Sequence, residues 1–388
     1  MKPLSILIFA GYYLPYRGGY VESLHGLSKS LVKEGHTVRI VTNNVSKAPS
    51  DEIIDGVHVT RLPGWHLLGG TYPVVAPTPK ALWMLFKLMR LKVDVVSTQT
   101  RFFVTSLLGA LYATVRFKPL VHTERGAYHS VVQSRFVDLA SRFIDHTMGW
   151  FVVRRAKRNV GVSQAACEFI KHLHGRNVRF IPNGVALPPT LSASGRISRR
   201  KKWGFSSSDK ILLFVGRLVF AKGVQDVLPY LPGLIKKEPN LVLGIVGEGV
   251  YRETLESEIK QAGLSKHVRF LGLLSGPEVI ECMQLSDFFI NPSHSEGLPR
   301  SILEAAAAGL PIVASDVGGT IEIISHEKSG LIFQPDQKQD MEGYLHRLLE
   351  NGDLCDQLGN AARKRVDTDF SWHTILRSYV DLFHEVVQ

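Results

Sequence analysis

The stretch PSHSEGLPRSILEAAAAGLPIVASDVGG spans residues 292–319. Ala305–Ala308 make an apolar run of strong helix formers. Pro299 suits a first helical position, where its missing N–H is not needed, and Gly309 suits the residue just past the end. A helix over Pro299–Ala308 follows, and Pro311–Ala314 reads as a buried strand. Side chains this small mark a tightly packed helix, which has no need of acids. Glu296 and Glu304 nevertheless flank and enter it. Glu296 sits in the loop before the helix, and Glu304 lies in the second turn on the face of Ser301. A helix start carries unpaired N–H groups and partial positive charge, so it suits an anion such as a diphosphate. Carboxylates accept hydrogen bonds from sugar or ribose hydroxyls. The two acids can therefore reach different parts of one elongated ligand. In isolation both would read as solvated helix acids; the alanine run changes that.

The same alternation of strand and helix runs along the chain. Strands are predicted at Leu4–Ala10, Thr37–Thr42, Val57–Arg61, Val93–Thr98, Leu120–Thr123, Asn159–Val162 and Val178–Ile181. They continue at Ile211–Val215, Leu241–Val246, Val268–Leu271, Asp287–Asn291, Pro311–Ala314 and Gly330–Phe333. These runs are short, rich in Val, Ile and Leu, and not alternating, as parallel strands covered on both faces should be. Helical patterns between them give repeated βαβ units. The expected fold class is α/β, with two doubly wound, Rossmann-like parallel sheets. The expected division is a first domain over 1–185, a linker over 186–204 and a second domain over 205–370. The linker reading rests on the stretch Pro182–Phe205, with its three prolines, serines and the basic run Arg199–Lys202. The amphipathic tail carries Trp372, Ile375, Leu376, Tyr379, Leu382 and Phe383 on one stripe.

The chain has 388 residues, too many for one typical core. Its 45% hydrophobic and 21% charged content is ordinary for a globular enzyme. No apolar run approaches the ~18 residues of a membrane span. The opening MKPLSILIFAGYYLP reads as a buried first strand rather than a secretory leader. Cys167, Cys282 and Cys355 are scattered, which argues for a reducing compartment and against a disulfide framework or cysteine metal site. The net charge of +11 is uneven. Residues 1–185 carry 24 Lys and Arg against 10 Asp and Glu, a balance of +14. Residues 186–202 add +5, and residues 203–388, with 17 against 25, carry −8. The first half should be drawn to something anionic. No nucleic-acid-reading motif is present, so nucleic acid is not expected. Residues 131–158 read as one helix with Phe136, Phe143 and Trp150 at seven-residue spacing and arginines beside them. That stripe is read as core with solvated arginines, and as an interfacial helix in second place.

Further motifs sit after strands. In VGRLVFAKG (215–223), Arg217 and Lys222 project from the loop after a strand, where α/β sheets bind ligands. Arg offers a fork to phosphate oxygens and Lys a point charge. Tyr16-Arg17-Gly18-Gly19 follows the first strand and precedes a helix over Tyr20–Glu34; the glycine pair lets backbone N–H groups approach a phosphate or sugar. VGEGV (246–250) is a similar turn. His122 ends a strand and reads on its own as a satisfied structural residue. Asp367-Thr368-Asp369 reads as turn and capping chemistry before the last helix, not as a metal site.

Taken together these segments resemble the retaining glycosyltransferases of family 4, which have the GT-B fold. The resemblance rests on EGLPRSILEAAAAGLPIVASDVGG with its E-x7-E spacing, RGGYVESLHGLSKSLVKEGHTVRIVT (17–42), VSQ (162–164), IPNGV (181–185), GRLVFAKG (216–223), VGEG (246–249) and FSW (370–372). It implies a transferase, of hexosyltransferase type, moving a sugar from a UDP- or GDP-linked donor to a glycan or lipid-linked acceptor in surface-glycan assembly. By that resemblance the second domain binds the donor and the first the acceptor. Arg217 and Lys222 hold the diphosphate, and Glu304 bonds the ribose. Glu296 with the backbone of Gly297, Leu298, Pro299 and Arg300 bonds the transferred sugar. Gly18 and Gly19 approach from the first domain, and His122 lies near the reaction centre. The base sits against Phe270–Leu274, including Leu273, and the helix over 371–388 returns to the first domain. The catalytic set is then Glu296, His122, Arg217 and Lys222, with no metal and no cofactor, the nucleotide-sugar being a substrate. Cytoplasmic placement is expected, peripheral on an anionic membrane surface.

Two departures stand out. The family's histidine often precedes glycine, whereas His122 precedes Thr123-Glu124-Arg125-Gly126, so Glu124 or Arg125 reshapes that site. The Asn183-Gly184-Val185 turn is followed by Ala186 in place of the frequent aspartate. Two rivals stay open: a nucleotide-sugar epimerase of the same fold, and a non-catalytic nucleotide-sugar or glycan-binding protein.

Overall fold

A computed structural model describes residues 2–16, 18–44, 47–67, 72–126 and 135–388. The chain forms two units, Met1–Gly184 with Trp372–Gln388, and Val185–Ser371. In the first, the strands are β1 (Ser5–Phe9), β2 (Thr37–Asn44), β3 (Asp51–Ile54), β4 (Val57–Leu67), β5 (Tyr72–Val75), β6 (Val95–Gln99), β7 (Leu120–Glu124), β8 (Arg158–Gly161) and β9 (Val178–Phe180). Their order in the sheet is β3-β4-β2-β1-β6-β7-β8-β9, with β5 on β4. All pairs are parallel except β3 with β4 and β4 with β5. The chain builds outward from β1 to β2 and β4, then crosses back to β6. The sheet therefore reverses direction between β1 and β6.

β1 explains why this strand lies in the middle. Leu4, Ile6 and Ile8 face one core, with the helix Gly19–Lys33 and the tail helix Trp372–Val387. Leu7 and Phe9 face the other, with the helices Pro79–Leu88 and Val104–Val115. Alternate side chains of a strand point to opposite faces, so only an all-apolar strand satisfies both. The tail helix brings Ile375, Tyr379, Leu382, Phe383 and Val386 into the first core.

The second unit holds β10 (Lys210–Val215), β11 (Leu241–Val246), β12 (Val268–Gly272), β13 (Phe288–Asn291), β14 (Ile312–Ser315) and β15 (Leu331–Phe333). The order is β12-β11-β10-β13-β14-β15, with every pair parallel. Here the chain steps from β10 out to β12 and returns to β13 on the other side of β10. Such a reversal leaves a crevice at the strands' carboxyl ends, where open α/β sheets bind ligands.

Several expectations need correction. Residues 186–204 are no unstructured linker: they belong to the second unit and carry the helix Ala193–Arg200. Arg200 in that helix is buried and donates to Leu285 O, Asp209 O and Asp287. One member of the basic run that suggested a linker thus anchors the segment. Asp367 and Asp369 lie in the last turn of the helix Gly352–Asp369, not in a turn. The helix expected over 131–158 begins outside the described residues. It runs as Arg135–Ile144, a π-helical turn Asp145–Gly149, and Trp150–Arg155. Phe143 and Trp150 are exposed at 70% and 41%, so those two members of the stripe are not core; the Phe136 side chain lies outside the described residues. β3 and β5 were not anticipated, because their pairing partner β4 makes them strands. Among the described residues no helix is long and apolar enough to cross a membrane.

Candidate functional site

In the second unit the expected residues converge on the reversal between β10 and β13. The loop after β10 carries Arg217 and Lys222, and the loop after β13 carries Glu296 to Pro299. Gly223 locks the two loops together. Its φ is +70°, and a Cβ there would lie 1.9 Å from the Pro292 carbonyl oxygen. The His294 N–H donates to Ala221 O at 2.8 Å. The loop after β14 joins them: at Gly318, φ +54°, a Cβ would meet Glu296 O at 2.2 Å. Gly319 N–H donates to Gly297 O at 2.7 Å. Backbone approaches this close leave no room for a side chain, which is why glycine stands at both positions.

The side chains then meet. Lys222 Nζ lies 2.6 Å from Glu296 Oε1, which also accepts from Ser293 Oγ at 2.8 Å. The lysine and the acid, assigned to different parts of a ligand, are thus direct partners. Arg217 is exposed, and among the described residues no ion pair or hydrogen bond holds its guanidinium. The helix Arg300–Ala308 starts at Pro299 with no side-chain cap and ends at Gly309 with φ +79°. Glu304 is buried in it, 9% exposed, and accepts from Arg300 Nε at 2.7 Å. Asn291 Nδ2 donates to Ser301 Oγ at 3.1 Å, tying the end of β13 to the helix start. Leu298 is buried beneath this turn. Leu273 lies in the loop after β12, 66% exposed. The turn Gly247–Gly249 bridges that loop to β10: Gly247 N–H donates to Gly272 O at 2.8 Å and Gly216 N–H to Val246 O at 3.0 Å.

Supporting residues escaped the sequence reading. Asp226 Oδ2 lies 2.6 Å from His294 Nε2 and 2.8 Å from Lys338 Nζ. His294 lies inside the quoted stretch; Asp226 and Lys338 carry no local signal.

In the first unit, Gly18 precedes the helix Gly19–Lys33 after β1, at the reversal between β1 and β6. Arg17 lies outside the described residues. His122 is not at an open surface. It is fully buried on β7, with Nδ1 2.9 Å from Thr98 Oγ1 and Nε2 3.4 Å from Glu124 Oε2. Glu124 is buried too. Its carboxylate accepts the N–H groups of Arg101, Arg125 and Gly126 and lies 3.1 Å from Arg101 Nη1. Burial pushes its pKa up, but the Arg101 guanidinium and the hydrogen bonds from His122 and Gly126 outweigh that and hold it at about 2. Arg101 also binds Asp145 through Nε at 2.9 Å and Nη2 at 3.0 Å. Arg125 is the group that reaches outward: it is half-buried, donates to Gln99 Oε1 at 3.1 Å and to Asn183, and lies 5.5 Å from the Tyr20 ring. Of the open pair Glu124 or Arg125, the acid is thus internal and the arginine adjoins the glycine-led helix.

Among the described residues no group of three or more His, Cys, Asp or Glu stands together to hold a metal ion. The second unit can therefore present two cations and a helix start to a diphosphate, with two carboxylates beside them for hydroxyls.

Comparison with known proteins bears on the family and the fold. The profile of "Glycosyl transferases group 1" matches residues 196–365, and that of "Glycosyltransferase Family 4" matches residues 17–187. An uncharacterized glycosyltransferase of Methanocaldococcus jannaschii is 30% identical over 399 residues, covering 100% of both chains. A glycogen synthase of Mycobacterium tuberculosis is 26% identical, covering 98% of this chain and 94% of that protein. In structure, Anabaena HepE in complex with UDP-glucose superposes with a TM-score of 0.77 at 18% identity, covering 98% of this chain and 100% of that one.

Proposed function

The chain belongs to glycosyltransferase family 4, retaining GT-B enzymes that use nucleotide-sugars, and from that premise we propose that its second unit is the donor site for a UDP- or GDP-linked hexose. One observation carries the reading: Arg217, Lys222, Glu296 and the start of the helix Arg300–Ala308 all stand at the reversal between β10 and β13. Arg217 and Lys222 take the diphosphate, Glu304 the ribose and Glu296 the sugar hydroxyls. The base lies along Leu273. Lys222 gives up part of its bond to Glu296 when the diphosphate arrives, which frees that carboxylate for the sugar.

The acceptor hydroxyl attacks the anomeric carbon from the face the nucleotide leaves. The C1–O bond to the β-phosphate breaks, and the acceptor's proton passes to a phosphate oxygen. The developing charge is met by Arg217, Lys222 and the helix start, so no divalent ion is needed. Glu296 holds hydroxyls and forms no covalent adduct. The acceptor is a glycan or lipid-linked glycan bound by the first unit. The +14 balance of residues 1–185 favours an anionic one, as in surface polysaccharide or lipopolysaccharide assembly at the inner face of a membrane. Gly18, Gly19 and Arg125 line that side, with His122 positioning Glu124 behind them.

A panel of UDP- and GDP-sugars screened by thermal shift tests this, since at a given concentration a tighter ligand stabilises the folded state more. One nucleotide class should raise Tm, and Arg217→Ala should abolish the shift. No shift with any donor, or an unchanged shift in Arg217→Ala, refutes the site. Donor rearrangement without acceptor would identify an epimerase instead.

A further inference from the structure

We propose that the helix Pro79–Leu88 and the turn at residues 116–118 form a docking face for an anionic lipid bilayer. The helix buries Ala81, Met84 and Leu88 against the sheet. A solvated helix should be polar on its opposite side. This one instead exposes Leu82 at 64%, Trp83 at 55% and Phe86 at 57%. Cations cover the rings: Lys87 Nζ lies 3.6 Å from the Trp83 ring centre, and the Arg90 guanidinium 4.7 Å from that of Phe86.

The neighbouring turn extends the face. Tyr112 Oη donates to Leu88 O, and the Arg116 guanidinium donates to Met89 O and Leu91 O. That sets Phe117 beside the helix end. Phe117 is 92% exposed and holds a φ of +53°, a backbone state a bulky residue adopts at a cost. Among the described residues nothing in the fold of this unit covers the ring so held out.

Charge identifies the occupant. From Gly56 to Thr123 the only acid is Asp94, and its carboxylate accepts the Ser5 N–H. Lys80, Lys87, Arg90, Lys92 and Lys118 accompany the aromatics with no acid among them. At the edge of the face, Asp51 and Glu52 already pair with Arg39 and Arg61. A protein partner's contact core is poor in lysine. Aromatic rings at headgroup depth, with lysine and arginine reaching to lipid phosphates, are what a bilayer interface takes. The end of the basic stretch 135–158 adjoins the face, since Arg155 donates to Ala113 O and Lys118 O.

The test is flotation of the full chain with vesicles of phosphatidylcholine, with and without phosphatidylglycerol. The protein should float with the anionic vesicles at low salt, and the bound fraction should fall as salt rises. Trp83→Ala with Phe117→Ala should weaken binding by about tenfold or more, as loss of two buried rings requires. Lys80→Gln with Lys87→Gln should weaken it and flatten its salt dependence. The donor thermal shift of both variants should equal that of the parent, which shows that they are folded. Quenching by brominated lipid should be reduced in Trp83→Phe. Absence of flotation with anionic vesicles at low salt overturns the proposal, as does flotation of the Trp83 and Phe117 variant at the parent's level. A dimer of the parent that these substitutions dissociate also overturns it, assigning the face to a second copy.

Discussion

Glu296 and Glu304 sit eight residues apart, yet different partners hold them. Glu296 is a loop acid already bonded to Lys222 and Ser293, whereas Glu304 is a buried helix acid bonded to Arg300. Their removal should therefore differ. Glu304→Ala should raise the Kd of every donor sharing the nucleoside by about tenfold or more, the loss of charge-assisted hydrogen bonds worth ~1.5–3 kcal/mol each. Glu296→Ala should leave Kd within a few-fold and lower kcat; titration calorimetry beside turnover separates the two. Glu124 supplies a pH dependence. Its folded pKa of about 2 lies below the ordinary 4.5. The stability it contributes is complete above about 4.5 and is lost as the pH falls from there towards about 2. Denaturant midpoints measured across that window should drop for the parent protein. In Glu124→Gln the unfolding free energy should start lower, by about 3–5 kcal/mol for a broken buried pair, and the midpoints should vary less with pH. Which acids would be buried was half legible. The alanine run pointed to Glu304. Nothing local pointed to Glu124, whose partner Arg101 arrives from another strand end.

At the scale of elements, the loops after β10, β13 and β14 form one assembly because backbone touches backbone. Gly223 and Gly263 share a φ of +70°, but a Cβ at Gly263 meets nothing within 4 Å, whereas at Gly223 it strikes Pro292 O. Gly263→Ala should cost about 1–2 kcal/mol from the left-handed backbone alone. Gly223→Ala should add a further ~1–3 kcal/mol of overpacking and should also weaken donor binding, since it pushes the two loops apart. Thermal unfolding with and without donor distinguishes the two variants. The strands were readable because parallel strands buried on both faces are uniformly apolar. β3 and β5 were not: Asp51–Ile54 opens with two adjacent acids, each strand is only four residues long, and both exist by pairing with β4. The segment 186–204 misled for a related reason. Its arginines find carbonyls and Asp287 in the second unit, contacts that composition cannot reveal.

At the scale of the whole molecule, the tail belongs to the unit it is farthest from in sequence. Trp372 packs against Gly26 and Gly184, where a Cβ would fall 2.2 Å and 2.4 Å from its ring. Ile375, Tyr379, Leu382, Phe383 and Val386 complete the core around β1. Each such side chain is worth ~1.5–3 kcal/mol of burial, and their sum matches the ~5–15 kcal/mol that holds a domain together. Deleting residues 372–388 should therefore unfold the first unit and leave the 185–371 unit with its own transition, which scanning calorimetry would show as the loss of one of two endotherms. What the sequence by itself determined was the repeating βαβ order, the two sheets, the uneven charge and the loops that carry Arg217, Lys222 and Glu296. Those follow from local periodicity and from strand ends, where side chains leave the sheet. Only the tertiary structure decided that Lys222 and Glu296 touch, that His122 is sealed behind Glu124, and that the aromatic side of Pro79–Leu88 stays uncovered. Contact between segments far apart in the chain, and the lack of it, is settled by how sheets and helices stack, and no local pattern of residues encodes it.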